Sequence, residues 1–368
     1  MMGSTLTVLA ALAAASTVSA QQVLEIDYGA GRVLIDDESR AIYDSSIDHQ
    51  RAILYLQDME EPEGVMVFSL DTGEWIRTIR FPTGGGPGEL PQGYAGMSAG
   101  RNGRLYVSGL ARILLFDDAG QYMGNWTPRA PERRGAVCDF DGKPAVPAIK
   151  GVVRRSGDGD ETVGPGVAAM RGLPRSQARA MEDLLWSSRI ACTPNAAYVV
   201  TTHADDTDSL TVYYRSGRMG TLQIPAELVE SGRLTTGPRI NTDGRGNVVL
   251  AEIPDVRLIR IGGYQTVGAV LDPGSGCHAM IRNPEVDAYE YSFRGIHADS
   301  AVVAVLYMEE GEEMGRKALT FFDHAYKVGL YPLRRVSGEP CPGMLPTVEP
   351  VRSPRSTDRS GLKGPIAK

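Results

Sequence analysis

Short apolar runs rich in β-branched and aromatic residues recur along the chain: ILYLQD from Ile53, RLYVSG from Arg104, PAVPAI from Pro144, AYVVTT from Ala197, NVVLAE from Asn247 and AVVAVL from Ala301. They return about every 50 residues, which is the signature of a repeat architecture. All but the third are followed by a second run and a polar or Gly-containing turn. Examples are GVMVFSLDTGEWIRTIRF at 64–81, RILLFDDAGQYMGNW at 112–126, SLTVYYRSGRMGTLQI at 209–224, RLIRIGGYQTVGAVL at 257–271 and ALTFFDHAYKVGLYPL at 318–333. A further short strand precedes most of the runs, as GMSAG before residue 101, GAVCDF at 135, RIACTP at 189, RINTDG at 239 and RGIHAD at 294. Asp-Thr-Gly and Asp-Ala-Gly between two runs make hairpins, because Gly and Asp tolerate the positive φ of tight turns.

Helical repeats would space their apolar residues by three and four, and these runs do not. About four strands in each of six units between residues 22 and 333 predict an all-β, six-bladed β-propeller with four-stranded antiparallel blades. Each blade is apolar on both faces and must pack on its neighbours until the ring closes. The segment QVLEIDYGAGRVLI at 22–35, with Val23, Leu24, Ile26, Val33, Leu34 and Ile35, is placed to supply a closing strand. An insertion at about 150–188 interrupts the third unit. Its first part, RRSGDGDETVGPG, reads as a polar surface loop. Its second part, at 175–189, carries Ala178, Met181 and Leu184 or Leu185 at helical spacing and reads as a short helix packed on a blade edge.

Composition sharpens this picture. The chain has 368 residues, 42% hydrophobic, with 43 Gly and 23 Pro, as a turn-rich β protein requires. A net charge of −7 lacks the clustered basic excess that a general nucleic-acid binder needs. Residues 1–20 carry no charged side chain. They hold an apolar run from Leu6 to Ala15, too short to span a bilayer, and end in Val18-Ser19-Ala20. That pattern predicts a signal peptide cleaved after Ala20, and no later stretch spans a membrane. The expected location is therefore periplasmic or extracellular. From Arg334 onward there are six prolines and seven Lys or Arg against three Asp or Glu, a local charge of +4, so residues 334–368 read as a flexible tail.

The four cysteines, Cys138, Cys192, Cys277 and Cys341, fit an oxidising compartment and resemble no zinc pattern. Equivalent places in successive units favour Cys138 with Cys192, and hence Cys277 with Cys341. Four free, buried thiols are the alternative.

The segment FPTGGGPGELPQGY at 81–94 resembles the Gly-Pro-Gly-Glu loop of bacterial exported six-bladed propellers related to the NHL-repeat group, most specifically over Gly84–Leu90. Elsewhere the resemblance rests on an Asp-x-x-Gly turn before a Val-Val or Tyr-Val strand, as in Asn241–Leu250. It covers about residues 40–333, and the third unit departs from it. Such proteins are known by fold more than by activity, so the resemblance implies architecture.

Candidate chemistry is sparse. Gly84–Gly88 lacks the Gly-Lys-Ser/Thr and the following helix of a phosphate cradle, and Pro87 removes a backbone donor, so the segment reads as a connector between blades. Arg134, Arg189, Arg239 and Arg294 recur at the start of the presumed innermost strand in four successive units. Convergence of these arginines on the central channel would offer planar guanidinium forks to a carboxylate or phosphate. The competing reading pairs them with Asp139 or Asp243, or points them into solvent. His49 and His297 occupy similar turns. A metal site would need ligands such as His203, Asp205, Asp206, His297 and Glu252 to converge. There is no Gly-x-Ser-x-Gly elbow. Glu60, Glu61, Glu63, Glu309, Glu310, Glu312 and Glu313 read as solvated hairpin tips. The sequence thus predicts a monomeric binding or interaction module without a cofactor, for a small anionic ligand or a protein partner. The alternative is a lactonase- or lyase-like enzyme using Ca²⁺ or Zn²⁺.

Overall fold

A computed structural model describes residues 21–37, 42–58, 61–91, 93–128, 136–148, 151–157, 159–164, 176, 188–202, 208–224, 239–251, 265–284, 290–307, 325–342 and 344. The expected leader at 1–20, nearly all of the helix expected at 175–189, and residues 345–368 lie outside them.

The six recurring apolar runs, from that at Ile53 to that at Ala301, each supply the second strand of a four-stranded antiparallel run. The chain opens with β1 (Gln21–Ile26) and β2 (Arg32–Asp37). The first four-stranded antiparallel sheet is β3 (Ile42–Asp48), β4 (Ile53–Asp58), β5 (Gly64–Ser69) and β6 (Trp75–Arg80). The second is β7 (Tyr94–Ala99), β8 (Leu105–Gly109), β9 (Ile113–Phe116) and β10 (Tyr122–Trp126). The third is β11 (Cys138–Phe140), β12 (Lys143–Ala148), β13 (Gly151–Ser156) and β14 (Gly159–Val163). The fourth is β15 (Arg189–Cys192), β16 (Ala196–Thr202), β17 (Asp208–Tyr214) and β18 (Met219–Leu222). There follow β19 (Arg239–Thr242), β20 (Val248–Ala251), β21 (Gln265–Leu271), β22 (His278–Asn283), β23 (Glu290–His297), β24 (Ser300–Tyr307) and β25 (Ala325–Ser337).

The third sheet differs from expectation. The stretch expected to be a loop forms β13 and β14, paired from Val152–Val163 to Ser156–Gly159. The polar residues there fit a strand pair because Arg154 on β13 donates to both carboxylate oxygens of Glu161 on β14, at 2.9 and 2.7 Å. Cross-strand charge pairing takes the place of apolar alternation.

The last strands join into one nine-stranded sheet, ordered β19-β20-β21-β22-β1-β25-β24-β23 with β2 also on β25. Two antiparallel runs of four can be read within it. One is β19-β20-β21-β22, and the other is β23-β24-β25-β2, in which the N-terminal β2 supplies the outermost strand. The β1 strand bridges the two runs, parallel to β22 and antiparallel to the far end of β25. The ladder between β1 and β25 carries on from Leu333 to Ser337, so the tail boundary expected after residue 333 falls inside a strand. Beyond it, Cys341 and Met344 are buried.

The first strands neighbour one another in the cycle β3, β7, β11, β15, β19, β23 and back to β3. The apolar clusters follow the same order. Ile53, Tyr55 and Val67 pack on Leu105, Val107 and Phe116 of the next sheet. The succession returns from Val302, Ala304 and Val328 to Leu54, Leu56 and Met66 of the first sheet. Each sheet hides both faces against its neighbours, which is why the second strands read as unbroken apolar runs. Four-stranded antiparallel blades around a closed inner cycle define a β-propeller. Disulfides join Cys138 to Cys192 and Cys277 to Cys341, the first linking neighbouring inner strands and the second fastening the segment after β25 beside β22. Among the described residues no helix is long and apolar enough to cross a membrane.

Candidate functional site

The inner strands enclose a hub with two ends. One end is formed by the turns that lead from each inner strand to its neighbour in the same sheet. The other, called here the mouth, is formed by the starts of the inner strands.

At the turn end, carboxylates cap their own turns. Asp48 Oδ1 accepts from the backbone N–H of Gln50 and Arg51, and Asp243 Oδ1 accepts from those of Arg245 and Asn247. Asp139 accepts from Gly142 N–H in its own turn and from Arg101 N–H and the Tyr106 hydroxyl of the preceding sheet. Asp139 and Asp243 are thus engaged at the end away from the candidate arginines. His49 crosses from the first sheet to β19, its Nε2 lying 2.8 Å from the Thr242 carbonyl oxygen. Its ring stacks on His297 with centroids 5.9 Å apart and planes 10° from parallel. Burial pushes the pKa of His49 down to about 4 and that of His297 below its ordinary value. His49 is therefore neutral at pH 7, and burial disfavours the charged form of His297 as well. Contact with Thr242 makes Nε2 the protonated nitrogen of His49.

At the mouth, register defines equivalence. The last ladder positions before the turn are Asp48 paired with Ile53, Thr193 with Ala196, and Asp243 with Asn247. Four residues before each stand Asp44, Arg189 and Arg239, paired with Gln57, Val200 and Ala251. Arg189 and Arg239 therefore occupy one level on neighbouring inner strands, both partly exposed. Alternation gives them one sense as well, since Ile190 and Ile240, the residues that follow them, each pack on the preceding sheet, Ile190 with Cys138 and Phe140 and Ile240 with Ala191 and Tyr198. Two residues inward from Asp44, Ser46 Oγ accepts from Ala99 N–H on the next inner strand. Two residues inward from Arg239, Asn241 Nδ2 donates to the Arg294 carbonyl on the next. Residues of this parity face the following blade.

Arg294 is placed differently. The ladder between β23 and β24 slips between Phe293 and Gly295, and Arg294 is the extra residue of that bulge. Its side chain is only 4% exposed, and its Nη2 donates to the Ile42 carbonyl at 2.7 Å, bridging β23 to β3. The level of Arg189 and Arg239 is filled on β23 by Ser292. Arg294 stands three residues before His297, the last ladder position of β23, whereas Arg189 and Arg239 stand four before theirs, so aligning the runs by their first residue puts Arg294 on the wrong level. Arg134 lies outside the described residues.

Asp44 is the mouth residue that the sequence reading missed. Its Oδ2 accepts the Tyr94 hydroxyl at 2.7 Å, and its Oδ1 accepts its neighbour's N–H, that of Ser45, at 2.8 Å. The available signal was its place four residues before Asp48, matching Arg239 before Asp243, but the first unit was not aligned in that way.

The glycine-rich segment lies between β6 and β7 and spends its polar groups internally. Gly86 N–H donates to Glu89 Oε2 at 2.6 Å, Gly84 N–H to the Leu90 carbonyl, and Arg112 clamps the carbonyls of Gly85 and Gly86 at 3.1 Å. A Cβ on Gly84 would run into the Glu89 carboxylate. The donors that a phosphate would use are turned on the loop itself.

Among the described residues no three His, Cys, Asp or Glu side chains gather as a metal centre would require. His203, Asp205, Asp206 and Glu252 lie outside those residues. His297 belongs to the turn end; Glu61 and Glu63 are exposed in the loop between β4 and β5, where Glu63 Oε1 accepts the Thr83 N–H.

No protein-family profile matches the chain, and no curated protein matches it. Solved structures to which it is similar include virginiamycin B lyase from Staphylococcus aureus, at 11% identity and TM-score 0.45, covering 82% of this chain and 98% of that one. A gluconolactonase from Xanthomonas campestris is similar at 12% identity and TM-score 0.46, covering 85% and 97%. A β-propeller domain of Cps50 (Swd1) from Myceliophteria thermophila is similar at 12% identity and TM-score 0.38, covering 83% and 99%. Likeness at this level says nothing of activity, and the fold assignment rests on the sheet order and the inner cycle.

Proposed function

We propose that the protein is an exported six-bladed propeller acting as a binding module, with an anionic ligand held at the mouth of its hub. Counting each antiparallel run of the nine-stranded sheet as one blade adds two to the four separate sheets. Export is supported by the leader-like pattern of residues 1–20 together with two disulfides.

The observation that carries the ligand reading is the shared register and sense of Arg189 and Arg239 on adjacent inner strands. Guanidinium groups at one level on adjacent inner strands, Arg189 also donating from Nη1 to the Ser188 carbonyl at 3.2 Å, favour a carboxylate or phosphate, which can accept N–H bonds from each.

The test is a titration of the purified protein with inorganic phosphate and with citrate, followed by thermal unfolding. The expected result is a rise in Tm that falls by most of its size in Arg189→Ala and in Arg239→Ala, each loss corresponding to about ten-fold in affinity. A rise untouched by both substitutions, or no rise with either anion, overturns the reading. About one bound Ca²⁺ or Zn²⁺ per purified chain would favour the enzyme alternative instead.

A further inference from the structure

Resting on the reading of the mouth as an anion site, we propose that its ligand is a zwitterion, an amino acid in the broad sense, with its acid group on Arg189 and Arg239 and its ammonium group on Asp44.

The argument begins with the ladder. Asp44, Arg189 and Arg239 stand at the same distance from their turns, so the level that carries two guanidinium groups on β15 and β19 carries a carboxylate on β3. Between β19 and β3 in the inner cycle lies β23, which presents Ser292 at this level. The cationic and anionic positions are therefore separated around the opening rather than adjacent on one strand.

Asp44 is also held in place. The Tyr94 hydroxyl reaches it from β7 at 2.7 Å and the Ser45 N–H binds its other oxygen at 2.8 Å. Each oxygen of a carboxylate can accept more than one hydrogen, so these two bonds orient the group and leave acceptor capacity on it. A fixed acceptor of this kind selects a donor, and a cationic donor most strongly.

Ligand charge then decides the class. A simple dianion gains from the two arginines but meets Asp44 as a like charge, and a simple amine meets the arginines in the same way. A molecule bearing both charges at separate ends finds an opposite partner for each. Electrostatic complementarity of this sort governs selectivity more than raw affinity.

The experiment compares two matched series on the full mature chain by calorimetric titration. The first series is glycine, β-alanine, 4-aminobutyrate and 6-aminohexanoate, whose lengthening chain measures the span between the charges. The second is acetate, propionate, butyrate and hexanoate. The proposal expects at least one amino acid to bind about five- to ten-fold tighter than its matched carboxylate. It also expects Asp44→Asn to remove that advantage while the carboxylates bind as tightly or more tightly, a like charge having been removed, with the folding of the variant checked by its circular dichroism and thermal unfolding. If carboxylates bind as tightly as their amino counterparts throughout, or if the advantage survives Asp44→Asn, the zwitterion inference is overturned and the anion reading stands. If neither series binds and phosphate and citrate also fail, the anion reading falls and takes this inference with it. The wild-type comparison decides the matter even where Asp44→Asn does not fold, and Asp44→Ser gives a second, smaller replacement.

Discussion

His49 shows how one side chain can serve the ring rather than a ligand. It leaves the first sheet, meets the Thr242 carbonyl on β19 and stacks on His297 of β23, so three inner strands share it. Gly244, at φ +77, makes room, since a Cβ there would come within 2.6 Å of the His49 Cβ. Buried and neutral, His49 has its pKa lowered to about 4, with His297 opposing its protonation further and Asp243 favouring it. In the unfolded chain the same group takes up a proton near 6.5. Its contribution to stability is complete above pH 6.5 and is lost as the pH falls toward 4. Integrated over that window the loss is about 2–3 kcal/mol, an upper figure for a side chain with some solvent contact. Urea unfolding at pH 7 and pH 4.5 checks this. His49→Gln is expected to flatten the part of the decline that the wild type shows between those values, and an unchanged decline contradicts the assignment.

At the scale of elements, the strands were legible wherever burial on both faces forced an unbroken apolar run, as at Ile53–Asp58 and Val248–Ala251. Legibility failed where charge pairing did the same work. Arg154 and Glu161 hold β13 to β14 in a stretch whose Gly and Asp content reads as loop. It failed again at β23, where Arg294 stands three residues before the last ladder pair and the bulge moves the level of Arg239 on to Ser292. The mouth was therefore half visible: Arg239 and Asp44 each stand four residues before a turn aspartate, Asp243 and Asp48, whereas placing Arg189 on the same level needed the ladder. The disulfides close loops of 54 and 64 residues between or beside neighbouring blades. Chain-entropy arguments assign each roughly 4 kcal/mol through restriction of the unfolded chain. Reduction under native conditions is expected to lower the urea midpoint clearly, and Cys277→Ser with Cys341→Ser to lower it alone. A midpoint unchanged by reduction contradicts bridges that carry stability.

For the whole molecule, the N-terminal strands explain why the wheel stays closed. With β2 completing the run that begins at β23, and β1 tying that run to β22, the first and last described strands are stitched into one sheet. That closure fixes the inner strands against one another and so fixes the mouth. The most direct measurement is the anomalous diffraction of crystals of the mature chain grown or soaked with selenate, a heavy analogue of sulfate. The account predicts a selenium peak on the hub axis within hydrogen-bond reach of Arg189 and Arg239, inside a ring of six four-stranded blades. A ring of five or seven blades, or selenium peaks only at the outer surface with the mouth empty at saturating selenate, would contradict it.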